Sequence, residues 1–359
     1  MKKTIGLLAA LIAAALLLSA CTATDDAKTA VETTTASDGS VFASVKEAGL
    51  VRCGTRDALV GFAVLQEDGT HVGFDSDFCR VIAAAVFGDA AAVEMVDLKT
   101  GDRFKALQDG SIDVLVRNTT WSASFDGKES LTFAQITFYD GEGMMVDSGS
   151  GYESVSDMND AVICVASGTT TEVNAAGESA RLGLGWKINT FESNELIKKA
   201  FDAGECQGWT SDVSQLTALR ATYPADANSP VILPEVFSKE PLAPAVLDGD
   251  TQWAQVVNWA VLATIAAEEF GITSANVDSF LTSEDENIQS FLGVAITTDS
   301  GESAFDPGLG LPTDFAYQIV KQVGNYGEIY DRHLTPLGLK RGANALWLDG
   351  GLMYSPPFR

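Results

Sequence analysis

The chain has 359 residues, 46% apolar and 20% charged, which is enough apolar material for a full core and excludes disorder over most of its length. At about 150 residues per domain, that length predicts two domains. Asp and Glu number 49 against 23 Lys and Arg, and the net charge of −26 argues against a nucleic-acid partner, since phosphate backbones repel such a surface.

In chain order, Lys2 and Lys3 precede an apolar run over 5–18. That run is too short to cross a bilayer core about 30 Å thick comfortably, so it reads as a targeting segment. Leu18-Ser19-Ala20-Cys21 then resembles a bacterial lipobox, which predicts cleavage after residue 20 and a lipid-modified Cys21. Residues 22–40 are rich in Thr, Ala, Ser and Asp and show no apolar period, as in a flexible tether with a reach of about 25 Å.

From there the pattern alternates. A strand over 51–54, a helix over 74–87 stopped by Gly88, a strand over 92–98, a helix over 102–108 and a strand over 112–116 predict a parallel sheet covered by helices. The pattern repeats with a strand over 161–165, a turn 167–172 entering a helix, a strand over 187–190, a helix over 193–203 and strands over 208–210 and 231–233. A long helix follows over 252–270, with Asp250 and Thr251 as caps and Gly271 as its stop. Its Trp253, and Trp259 after it, are expected in core packing.

Besides Cys21 there are Cys53, Cys79, Cys164 and Cys206. In an exported chain an even set predicts disulfides. Four cysteines allow three pairings; 53–79 and 164–206 would each close a local loop within one half. With no CxxC and only His71 and His333 as histidines, no metal or other cofactor is expected. Phosphate-binding loops, a nucleophile elbow and HExxH are also missing from the sequence.

Several long segments carry a family resemblance: GSIDVLVRNTTW (110–121), FYDGEGMMV (138–146), VASGTTTEVN (165–174), SKEPLAPAV (238–246) and GANALWLDGGLMYSPPFR (342–359). Over residues 45–359 the chain resembles family 3 of the bacterial extracellular solute-binding proteins, the receptors of polar amino-acid ABC importers. It is most similar to their broad-specificity L-amino-acid branch, which places four cysteines at the same positions. The resemblance implies the type II periplasmic-binding-protein fold: α/β, two lobes, each a mainly parallel sheet flanked by helices, with two hinge crossings. It divides the chain into a signal peptide (1–20), the lipidated Cys and tether (21–40), lobe 1 (41–146), lobe 2 (147–237), and a lobe 1 return with C-terminal extension (238–359). The crossings are expected near 144–148 and 238–245.

A free amino acid carries a carboxylate and an ammonium, and a cleft that shuts over both must supply a partner for each. Asp212 stands where the family places the carboxylate that holds the ligand ammonium; the residues alone also allow it to cap the helix that follows. Thr169 and Thr170 sit at a helix start, where N–H groups attract anions, and match family positions that help hold the ligand carboxylate. Asn118, Thr119 and Thr120 follow the third strand, a usual ligand location, and match main-chain contacts of the family; Ser122 lies just beyond. The sequence departs from the family where an Arg should fork onto the ligand carboxylate, because that position holds Phe125. Arg117 and Arg56 are the candidates to replace it. Arg56 and Leu59 also lie in the loop that shapes the side-chain pocket of the family.

The expected protein is a non-enzymatic, membrane-anchored lipoprotein on the periplasmic or extracellular face, touching the membrane only through its lipid. Its expected partners are a polar amino acid or close analogue and the permease subunits of an ABC transporter. Two alternatives from other classes are a sensing ectodomain for a signalling partner and a cyclic amino-acid dehydratase on the same fold; the second lacks an obvious acid or base.

Overall fold

A computed structural model describes residues 39–224, 229–298 and 301–359. The targeting segment, Cys21 and most of the tether lie outside the described residues. The described residues form one compact unit.

Two five-stranded sheets organise it. In the first, Val51–Thr55 runs parallel to Val93–Asp97 on one side and Val114–Leu115 on the other; Ala245–Leu247 and Leu131–Phe133 complete it antiparallel. Helix Phe74–Phe87 packs against this sheet and against helices Thr251–Glu269 and Phe315–Gln322. Nearly the whole helix is buried, which explains why Val81 to Val86 is an unbroken apolar run instead of a stripe. In the second sheet, Val162–Ala166 runs parallel to Lys187–Phe191 and Gly208–Asp212, and Glu142–Val146 and Val231–Ile232 are added antiparallel.

The sheets are joined by a two-stranded ladder, Phe138–Asp140 against Glu240–Leu242. The chain therefore crosses earlier than the sequence boundary at 146: Glu142–Val146 already pairs with Gly208–Asp212. The transfer occurs at Gly141, between strands Phe138–Asp140 and Glu142–Val146. A Cβ there would meet a Val236 methyl at 2.2 Å and the Ser238 carbonyl at 2.8 Å. The C-terminal extension fixes the crossing from outside, where Asn344 accepts from the Tyr139 amide (2.6 Å) and donates to its carbonyl (3.1 Å).

Cys53–Cys79 ties strand Val51–Thr55 of the first sheet to helix Phe74–Phe87, and Cys164–Cys206 ties strand Val162–Ala166 of the second to the turn before Gly208–Asp212. Each closes a local loop, worth about 3–4 kcal/mol in the loop-entropy model. Replacing Cys164 and Cys206 by Ser should lower the unfolding free energy in urea by about that amount; an unchanged midpoint would show that the link does not constrain the unfolded chain.

Candidate functional site

The parallel strands of both sheets deliver their carboxyl ends to one cleft, where strand-to-helix loops expose backbone amides and polar side chains. From the first sheet come Arg56 after Val51–Thr55, Thr100 and Arg103 after Val93–Asp97, and 117–120 after Val114–Leu115. From the second come 169–171 after Val162–Ala166, and 211–215 at the end of Gly208–Asp212. The walls lie close together and leave a cavity of about 40 Å³. Past Arg56 and Arg117 it continues into a second space lined by Asp57, Leu98 and the start of helix Asn194–Asp202.

Of the residues singled out from sequence, the cavity brings together Arg56, Arg117, Asn118, Thr119, Thr120, Phe125, Thr169, Thr170 and Asp212. Leu59 is not among them. It sits in a short hairpin, pairs with Ala63, and turns its side chain into the main hydrophobic core. Ser122 does not line the cavity either; its hydroxyl accepts the Phe125 amide as the N-cap of helix Ala123–Glu129.

The capping alternative for Asp212 fails. It precedes helix Val213–Arg220, yet its side chain makes no capping hydrogen bond. Only 6% of its surface is exposed, and burial, followed by repulsion from Asp140, Glu240 and Glu142, holds its carboxyl well above the ordinary range. Thr169 does cap its helix: it accepts the Glu172 amide while donating to the Ala166 carbonyl. Helix Thr170–Leu182 thus aims its amino end into the cleft.

The loop 117–120 is held by several contacts. Asn118 adopts φ +32°, a left-handed conformation that Asn tolerates better than most residues. Its amide donates to Asp75 Oδ2 at 2.8 Å, and burial raises the Asp75 carboxyl to about 7. Arg117 donates from Nε to the Leu98 carbonyl (2.9 Å) and from Nη2 to Thr100 Oγ1 (3.2 Å), and Arg56 donates from Nη1 to Gln215 Oε1 (2.8 Å).

Two groups escaped the sequence reading. Glu240, on the strand of the joining ladder and 1% exposed, accepts from Thr120 Oγ1 (2.6 Å), beyond the first sheet, and Thr170 Oγ1 (2.7 Å), beyond the second, on one oxygen. Its other oxygen accepts from Asn174 Nδ2 and Ser238 Oγ, both at 2.6 Å. Each threonine hydroxyl has one proton, so both arrive in the cleft as acceptors. Arg103 is the second group. Its guanidinium lies 4.3 Å from the centroid of Phe104 and 5.5 Å from that of Phe125, the residue lines the cavity, and burial lowers its pKa to about 10. A single Arg in a six-residue helix reads as solvated, so only the tertiary contact identifies it.

The model for bacterial extracellular solute-binding proteins, family 3, matches residues 51–275. The general L-amino acid-binding periplasmic protein AapJ of Rhizobium johnstonii is 44% identical over 327 residues, 90% of this chain and 94% of that one. The glutamate/glutamine/aspartate/asparagine-binding protein BztA of Rhodobacter capsulatus is 41% identical over 328 residues, 90% of this chain and 95% of its own. Among solved structures, an ABC transporter/periplasmic binding protein from Brucella ovis with glutathione bound superposes with a TM-score of 0.84 at 41% identity, covering 90% of this chain and 100% of that one. The chain therefore belongs to family 3 of the bacterial extracellular solute-binding proteins and has their two-lobed type II fold.

Proposed function

We propose that the protein is the extracytoplasmic receptor of an ABC importer and captures an L-amino acid, or a close relative such as a short glutamyl peptide, between its lobes. The observation that carries this reading is the charge pattern of the cleft. A buried carboxylate, Asp212, stands on one wall, and the amino end of helix Thr170–Leu182 with buried guanidinium groups stands on others. A zwitterion supplies the missing partner to both. The names of AapJ and BztA, and the glutathione in the Brucella structure, support a ligand with an amino-acid head.

In this reading Asp212 takes the ammonium, helped by the lone pairs of Thr120 and Thr170. Asn118, Thr119 and the amides after Thr169 frame the main-chain part, and Arg56 and Arg117 border the side-chain space. Lobe 1 comprises the first sheet with the return after residue 238, lobe 2 comprises the second sheet, and the crossing ladder is the hinge. The lipobox at 18–21 supports anchoring through a lipidated Cys21 after signal removal; among the described residues no helix is long and apolar enough to cross a membrane. The loaded, closed form would dock on the permease.

The test is a thermal-shift and calorimetric panel of L-amino acids and glutathione on protein unfolded and refolded to strip bound ligand. Binding should raise Tm through linkage; a refolded protein indifferent to the whole panel would contradict the reading. Asp212→Asn should raise the Tm of the ligand-free protein, because it removes a charge crowded by Asp140, Glu240 and Glu142, and should weaken amino-acid binding on the order of 100-fold. Unchanged binding would remove Asp212 from the site.

The pH dependence has a definite sign. Burial raises Glu142 to about 8, Asp75 to about 7 and Asp140 to about 6, with Asp212 shifted the same way. Over about pH 4–8 the folded state thus binds more protons than the unfolded one, and stability falls as pH rises. Ligand-free protein should melt higher at pH 5 than at pH 8. Binding an ammonium requires charged Asp212, so affinity should rise over the same window, with proton release visible as a buffer-dependent calorimetric enthalpy. A binding enthalpy independent of buffer would contradict this.

A further inference from the structure

We propose that Arg103 anchors the α-carboxylate of the ligand, gripping it between its Nε–H and the amino end of helix Thr170–Leu182, and that this grip forms only when the lobes close. The proposal deepens the amino-acid reading above and rests on it. Three guanidinium groups border the cavity. Arg117 spends Nε and Nη2 on the Leu98 carbonyl and Thr100, and Arg56 is engaged with Gln215. Arg103 is 5% exposed, its Nη1 donates to the Thr100 carbonyl at 2.5 Å, and its Nη2 donates across the cleft to the Gly168 carbonyl at 3.2 Å. Its Nε is buried without an acceptor.

A cationic N–H sealed from water without an acceptor is unfavourable, and a carboxylate, which only accepts, is the group that relieves it. Neighbouring donors are few. The hydroxyl protons of Thr120 and Thr170 go to Glu240, and that of Thr169 is directed to the Ala166 carbonyl. The first amides of helix Thr170–Leu182, reached directly after Gly168, carry the positive end of the helix and are the complementary donors, beside the hydroxyls of Thr100, Thr171 and Ser211. The rings of Phe104 and Phe125, 4.7 Å apart, pack against the guanidinium, so Phe125 acts as a positioning residue. Because Nη2 reaches a carbonyl of the opposite lobe, opening the hinge separates Arg103 from its helix partner.

Isothermal titration with L-glutamine and its α-amide, L-glutaminamide, tests this; if wild type binds a different L-amino acid, that acid and its α-amide serve instead. Wild type should bind the amide about 100-fold more weakly than the acid. Arg103→Met should weaken the acid about 100-fold and bring it within about threefold of the amide, a loss of discrimination that a merely structural role would not produce. Arg103→Lys keeps the charge but lacks the Nε–H held in place by the two Nη contacts, so it should lose at least about tenfold, and it reads the site if the Met variant does not fold. Binding of the acid unchanged in either folded variant, or discrimination retained in Arg103→Met, would overturn the assignment while leaving the receptor reading intact. Wild type that binds no L-amino acid would overturn both.

Discussion

Charges removed from water must be met by opposite charges or hydrogen-bonding groups, and the cleft is organised around that constraint. Burial pushes the carboxyl of Asp212 up and the guanidinium of Arg103 down, so without counter-charges each is driven toward its neutral form. The α/β architecture creates the situation by pointing the carboxyl ends of two parallel-stranded sheets, and the amino end of helix Thr170–Leu182, at one space. In the proposed binding mode a zwitterion settles both charges together, which explains why affinity and lobe closure belong to one event.

Glu240 connects that event to the hinge. It stands on the crossing strand, draws Thr120 and Thr170 from opposite lobes onto one carboxylate oxygen, and is itself fully supplied with donors. Two hydroxyls that would otherwise be free to donate to an anion become acceptors. The same buried region holds Asp140, Glu142 and Asp212, so the hinge carries a concentration of carboxylates that favours a cationic visitor.

Much of this was legible in the sequence because it depends on local pattern. Helix Phe74–Phe87 has the predicted bounds, ended by Gly88 in the left-handed region, and the strands before the site loops fall within a few residues of expectation. The local loops 53–79 and 164–206 are the ones that the disulfides close. Position after a parallel strand pointed to Asn118 and Thr120, and the family resemblance added Thr170 and Asp212; all four line one cavity. What was hidden depends on tertiary direction. Leu59 lies in the right loop, but its hairpin turns it inward; Ser122 is beside the site but spends its hydroxyl on a helix start. Arg117 and Arg56 were the visible substitutes for the fork missing at Phe125. Arg103 comes from a different strand-to-helix loop and reaches the Phe125 ring only in the folded chain. The first crossing was expected near 144–148, and its place at Gly141 shows only in the pairing of Glu142–Val146 with Gly208–Asp212.

The central claim is that two lobes close around a small zwitterion, and small-angle scattering of refolded protein tests it most directly. Adding a bound L-amino acid at saturating concentration should reduce the radius of gyration, while Asp212→Asn under the same conditions should retain the larger, ligand-free value. Identical scattering profiles with and without a ligand that calorimetry shows to be bound would contradict closure of the cleft.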